Sequence, residues 1–375
     1  MENRYHIGHA KLTNVLEKQV KSGQLPHSQL FVDSGGFGGF PLALSLSEFI
    51  LNPNAPQSQT HIQDHPDLHC VYPTLTIGKG KSNSWDEAWR EFCADSPYAA
   101  VHDWMARLES GNKQGSIRVD AIMEMHRKAS LKAFSGKNKV FIIWGADFIL
   151  ESAANKLLKL LEEPPKNTYF ILIAAYTDNI LATILSRCQI TKLPPLNDHE
   201  MLSQAQKDYP SQKQLIDIIG ASNGSWRRLV HTVENMEEIR ELEQLWVEGL
   251  RLAFRARGNK KIVLSLFEWG QTISQKSRES QKYFLLFGLD IIRSALMVQY
   301  KAKSIQRFVS FTGFNLDKFA VYVHSENILE LKKLFEESYY ELVRNANPKI
   351  LFSCFSLKLS RLLNKKESTF LENVD

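Results

Sequence analysis

KVFIIWGADFILESAANKLLKLLEEPPKNTYFILIAAYTDNILATILSRCQITKLPPL, from Lys139 to Leu196, alternates between two kinds of segment. Residues 140–144 and 169–175 are short, apolar and β-rich, the composition of strands buried on both faces. Between them Ala154, Leu157, Leu158 and Leu161 recur at helical spacing, and Pro164-Pro165 stops that helix. A shorter helix is expected over residues 180–186, capped from Asp178 or Asn179, and then a strand over 189–193. Strand, helix, strand, helix, strand with short joins implies a parallel sheet and hence an α/β fold. Arg187 then falls at a helix end, near the edge of the sheet.

Toward the N-terminus, residues 12–20 suit a helix and residues 27–32 (HSQLFV) read as the first strand. Asp33-Ser34-Gly35-Gly36-Phe37-Gly38-Gly39-Phe40 follows, and a helix is expected over 41–50. A strand, a glycine-rich turn and a helix opening with proline form the layout of a phosphate-binding loop. A hydrolytic loop of this kind ends in Gly-Lys-Ser/Thr: the lysine neutralises the β- and γ-phosphates, and the hydroxyl holds Mg²⁺. Here Gly39 and Phe40 occupy those two positions. No basic residue occurs between Val32 and Leu51, so no shift of register restores the lysine. Gly35, Gly36, Gly38 and Gly39 retain the turn without its charge clamp or its metal hydroxyl.

Composition bounds the alternatives. At 375 residues the chain fits two or three domains, and 43% apolar against 23% charged residues supports ordinary cores. A net charge of +5 over this length permits contact with nucleic acid without arguing for it. Cys70, Cys93, Cys188 and Cys354 lie far apart with no CxxC pair, which fits reduced thiols rather than zinc ligands or a disulfide framework. His61, His65 and His69 lack a cysteine or carboxylate partner set and read as polar loop histidines, so no metal is expected. The N-terminal residues show no apolar core of a signal peptide, and no apolar run is long enough to span a bilayer. A cytoplasmic protein with no membrane partner is expected.

The middle and end of the chain are helical in pattern. Residues 67–73 suggest a second strand, and residues 52–66 a polar surface loop. A flexible segment is expected over 78–82, then a helical insertion within residues 74–115. Its Trp85, Trp89, Phe92, Trp104 and Met105 fall at helical or near-helical spacing, either as a binding surface or as a patch packed on the body. A helix ending at Ser135-Gly136 leads into the central strand, and beyond Ile239 only helices are expected, over 242–256, 262–275, 279–299, 327–343 and 350–363. A frayed tail is expected over 365–375.

Several strings also resemble a known family. Ala153 to Pro165, AANKLLKLLEEPP, is similar to the AANALLKTLEEPP motif of bacterial clamp loader subunits, and TILSRC at 183–188 matches their TI-x-SRC motif. HPDLH at 65–69, IRVDAI at 117–122 and the Gly220…Gly224…Arg227…Leu229 pattern resemble further segments of that family. The chain thus resembles the bacterial DNA polymerase III clamp loader family of the AAA+ class, by motif over residues 5–235 and by helix content thereafter. The resemblance implies an AAA+ P-loop-type parallel sheet with helices on both faces over 1–195. A small helical lid over 196–238 and an all-helical collar over 239–375 would follow.

The resemblance also carries functional expectations. Aligned on residues 139–143, the Asp-Glu pair that holds Mg²⁺ and polarises water in an active member is replaced by Trp144 and Gly145. Asp147, just beyond, is expected to cap or brace the following helix. With lysine, hydroxyl and acidic pair all absent, a non-hydrolysing subunit with no bound cofactor and no zinc is implied. Arg187, within Ser186-Arg187-Cys188, corresponds to the arginine finger that reaches a neighbour's ATP; locally it would instead satisfy carbonyls or pair with a carboxylate. Arg227 falls where an active lid touches nucleotide, with a surface or inter-domain salt bridge as the equal alternative. Implied partners are the gamma/tau ATPase subunits and the delta subunit, with the sliding clamp and primed DNA reached through the complex. Polymerase chemistry would belong to the holoenzyme only. Two alternatives stay open: an active gamma/tau-type ATPase, and a helical interaction protein that reuses the fold.

Overall fold

The structure, a computed structural model, describes residues 5–53, 62–75, 85–108, 115–135, 137–256, 259–302 and 308–365. His61, the 78–82 segment, Gly136 and the tail beyond Lys365 lie outside the described residues. The chain divides into two compact units, Met1–Val230 and His231–Asp375.

In the first unit α1 (Ala10–Lys21), β1 (Ser28–Val32), α2 (Gly39–Leu51) and β2 (Leu68–Val71) lead to the insertion helices α3 (Asp86–Asp95) and α4 (Val101–Arg107). Then come α5 (Val119–Ser130), β3 (Lys139–Trp144), α6 (Glu151–Glu162), β4 (Thr168–Ala174), α7 (Ala182–Leu185) and β5 (Gln189–Lys192). Helices α8 (Asp198–Asp208), α9 (Leu215–Ser222) and α10 (Trp226–Glu234) follow. The five strands are parallel, in the order β2-β3-β4-β1-β5. The α/β fold class, with helices on both faces of a parallel sheet, is the expected one.

Strand pleating explains the two faces. Successive side chains point to opposite sides, so Val140, Ile142 and Trp144 join Phe31, Ile171, Ile173 and the apolar residues of α1 to α4 in one core. Phe141 and Ile143 join Leu30, Phe170, Leu172 and the apolar face of α5 and α6 in the other. The insertion aromatics are core: Trp89, Phe92, Trp104 and Met105 are buried on the first face. They pack on the body rather than forming an exposed binding surface. Trp104 Nε1 donates to the Pro73 carbonyl at 2.8 Å, which fixes α4 against the end of β2.

Two local expectations are corrected. Helix α7 begins after Leu181, whose side chain makes no cap, so neither Asp178 nor Asn179 caps it. Asp147 does not cap α6, whose N-cap position is Leu150. Its carboxyl is instead buried, with Oδ1 left without a hydrogen-bond partner among the described residues, and burial raises it above the usual carboxylate range.

The second unit holds α11 (Met236–Arg255), α12 (Lys260–Gln275), α13 (Arg278–Gln299), α14 (Leu316–Ala320), α15 (Ile328–Val343) and α16 (Pro348–Leu363). No strand occurs among its described residues. Its core centres on Trp246, fully buried and stacked between Phe284 and Phe335 at centroid distances of 5.0 and 5.5 Å. The Trp246 indole N–H donates to the Phe284 carbonyl at 2.9 Å. Gly288 makes room for this ring: a Cβ there would lie 1.9 Å from Trp246 Cζ2. Gly288→Ala should therefore destabilise the protein by about 1–3 kcal/mol through overpacking, seen as a lower urea midpoint in tryptophan fluorescence.

Candidate functional site

The glycine-rich turn lies where β1 feeds α2, at the carboxyl end of the sheet where open α/β folds bind ligands. Gly36 at φ +69° and Gly38 at φ +107° adopt backbone that side chains disfavour. This curls the turn so that its amides converge. The amides face an anion already, one supplied by the chain. Asp33 Oδ1 accepts from the Phe37 N–H at 2.7 Å, and Asp33 Oδ2 accepts from Gly38 at 3.1 Å and Gly39 at 2.7 Å. A backbone nest of this kind suits a phosphate, but here a carboxylate fills it. The Phe37 ring covers the turn, leaving no space for a side chain on Gly35, and His9 Nε2 meets the Phe37 carbonyl at 2.8 Å.

Aromatic residues gather at the end of β3, where the resemblance places the acidic pair of an active member. Trp144 lies 4.9 Å from Trp89 and 6.2 Å from Phe92 between ring centroids. Trp89 in turn stacks on Tyr72 at 4.2 Å and meets Trp104 edge-on at 5.3 Å. At Gly145, φ +75°, a Cβ would approach Val101 Cγ2 to 2.8 Å and Pro73 Cγ to 2.9 Å. The end of β3 is thus covered by α3, α4 and the end of β2, with no room for a side chain at position 145.

Arg227, in the first turn of α10, reaches α4. Its Nε donates to Asp103 Oδ2 at 2.6 Å and its Nη2 to Asp103 Oδ1 at 2.9 Å, a two-pronged pair. Nη2 also meets His102 Nε2. Of the two alternatives for Arg227, the salt bridge is present, and its partner lies in the insertion. Burial alone would raise the Asp103 carboxyl. The Arg227 hydrogen bonds and charge, helped by His102 and the Ala100 N–H, hold it below the usual carboxylate range. Ser225 Oγ donates to the Gly35 carbonyl, and a Cβ on Gly36 would sit 2.7 Å from Arg227 Cβ, so the start of α10 rests directly on the turn.

Arg187 stands apart from this cluster, beyond α7. Its Nη2 pairs with Glu162 Oε1 at 2.6 Å, and Nη1 donates to the Thr183 carbonyl at 2.8 Å and Ser186 Oγ at 3.3 Å. The side chain is 34% exposed. Cys188 is partly buried and burial pushes its thiol up to about 11, leaving it protonated at neutral pH. His65 accepts from the Asp67 N–H through Nδ1, and His69 lies beside the Phe141 ring at 4.9 Å. Among the described residues no group of His, Cys, Asp or Glu is arranged to hold a metal ion. No described helix is long and apolar enough to cross a membrane.

Sequence reasoning missed Asp33, Asp103 and Glu162. Asp33 carried a local signal, since an Asx residue opening a glycine turn is placed to accept the amides that follow. The Asp103–Arg227 pair joins residues 124 positions apart and left no such trace.

A family model described as DNA polymerase III, delta subunit, matches residues 8–197. The protein named DNA polymerase III subunit delta' of Haemophilus influenzae is 28% identical over 225 residues, covering 59% of this chain and 64% of its own. The Escherichia coli protein of the same name is 33% identical over 128 residues, 34% of this chain and 38% of its own. The chain therefore spans less than two thirds of the length of these relatives. A DNA polymerase III gamma subunit-related protein of Thermotoga maritima aligns over 93% of this chain and 99% of its own, with 14% identity and a TM-score of 0.38. A Bacillus subtilis clamp loader delta protein aligns over 94% and 100%, with 12% identity and a TM-score of 0.30.

The depressed Asp103 carboxyl sets a pH dependence. Its contribution to stability is complete above the unfolded value of about 3.9 and is lost as pH falls through the lower folded value. The difference in unfolding free energy between the wild type and Asp103→Asn should shrink as pH falls below about pH 4, measured by urea denaturation from about pH 5 downward.

Proposed function

We propose that this chain, which belongs to the DNA polymerase III delta subunit family, serves as the delta' subunit of a bacterial clamp loader and works without nucleotide of its own. Its relatives carry the delta' name. The observation that carries nucleotide independence is the Asp33 carboxylate on the amides of Phe37, Gly38 and Gly39. A second anion there would meet like charge and find its donors taken. The residues at this loop do not fit Mg·ATP: the lysine and hydroxyl positions are Gly39 and Phe40, and the strand-end positions are Trp144 and Gly145.

What the subunit contributes is Arg187. A guanidinium acts in trans by adding positive charge where a phosphoryl-transfer transition state gathers negative charge, and this requires no nucleotide in the donor subunit. The Glu162 pair that holds Arg187 is a partly exposed surface pair. Such pairs are weak and exchange readily for a phosphate oxygen. The partners are the gamma/tau ATPase and delta subunits, in a cytoplasmic assembly that opens the sliding clamp and places it on primed DNA; polymerisation belongs to the holoenzyme.

Reconstitution of the loader with Arg187→Ala tests this reading. The assembly should remain intact by size-exclusion chromatography, while ATP hydrolysis at the adjoining site falls by about 10³-fold or more, removing that site's share of the clamp-stimulated rate. Unchanged hydrolysis would refute the role. The purified chain should show no binding of Mg·ATP by titration calorimetry, and tight turnover would overturn nucleotide independence.

A further inference from the structure

The helical insertion has no part in the role just described, yet it is tied to Arg227, which by the resemblance falls where an active lid touches nucleotide. We propose that α3 and α4 act as a built-in ligand, with the Asp103 carboxylate taking, for Arg227, the place of an anion. This rests on the nucleotide-independent reading above and extends it to the lid.

Four observations meet at this point. Arg227 is bound by both Asp103 oxygens, at 2.6 and 2.9 Å, in the forked geometry that a guanidinium also offers a phosphate. The stem of Arg227 lies on the glycine turn, where a Cβ on Gly36 would come within 2.7 Å of it. The carboxylate is itself held in place: Asp103 Oδ2 accepts from the Ala100 N–H at 2.8 Å, which fixes it at the start of α4. The insertion is also anchored independently of the lid, through Trp104 to Pro73 and through Trp89 to Trp144. It therefore presents Asp103 from a rigid base, as a bound ligand would present an oxygen.

The consequence is a lid fixed in its liganded arrangement at all times. Tyr98, between α3 and α4, adds to this. Its hydroxyl accepts from the Ile7 N–H at 2.6 Å, its ring lies 6.1 Å from Trp226, and a Cβ on Gly38 would meet it at 2.8 Å. The insertion thus touches the N-terminal segment, the turn and the first residues of α10 together.

Amide hydrogen exchange on the full-length chain tests the proposal. Asp103→Ala should raise exchange across residues 222–230 by about tenfold or more. Inorganic phosphate at about 50 mM should then restore much of the protection, and sodium chloride at matched ionic strength should not. Asp103→Asn, which keeps shape and loses charge, should behave in the same way and covers the case in which the alanine variant misfolds. Unchanged exchange in both variants would overturn the proposal. So would increased exchange that phosphate fails to reverse, since Asp103 would then be an ordinary brace. A wild-type chain whose 222–230 segment gains protection with phosphate would overturn both this inference and the nucleotide-free reading, a result distinct from failure in the variants alone.

Discussion

Three backbone amides at the mouth of α2 need an acceptor, and Asp33 provides it from one residue beyond the end of β1. Converging N–H groups at a helix N-terminus carry partial positive charge, and burying them without an acceptor is costly. In a nucleotide-binding loop the phosphate meets that need, so the empty loop is the less satisfied state. Here the acceptor is covalent and always present. The turn keeps the positive φ values of Gly36 and Gly38 because the conformation is held by Asp33 rather than by a diffusible ligand.

The same logic extends across the sheet. An acidic pair at the end of β3 would place charge on the face where Val140 and Ile142 already point into an apolar core. With Trp144 there instead, the face can accept further aromatic rings, and Trp89, Phe92 and Trp104 extend that core onto the insertion. Trp144 at the strand end and the rings of the insertion therefore form one packing cluster. Burial of several large rings is worth a few kcal/mol each, whereas a carboxylate pair without metal would face mutual repulsion and desolvation. The aromatic cover fits only because position 145 is glycine, with Val101 and Pro73 close above it.

How much of this was legible in the sequence follows from the range of each interaction. The parallel sheet could be read because strands buried on both faces are short, continuous apolar runs, as at 140–144 and 169–175. The absent lysine and acidic pair were legible because each is defined by its offset from a local pattern. Helix α14 and the true start of α7 were not, since both are short and α7 lacks a side-chain cap. The packing of the insertion could not be decided from spacing alone, because aromatics at helical intervals serve a core and an interface equally well. Arg227 could be placed on the lid but not paired, since only the folded chain brings α4 beneath α10.

A gradient of commitment then separates the charged groups. Asp33 has all its neighbouring donors within one turn, and Asp103 is gripped at both oxygens by a partly buried arginine. Arg187 has only a surface glutamate and the carbonyl and hydroxyl of its own short helix. Forming or breaking a contact at the first two sites would disturb the turn and α10. At the third it would disturb little beyond a side-chain rotamer, because Glu162 on breaking the pair is left in water rather than buried. The charges held by several donors are tied to the turn and to α10, and Arg187, paired to a surface carboxylate, is tied to the fold least.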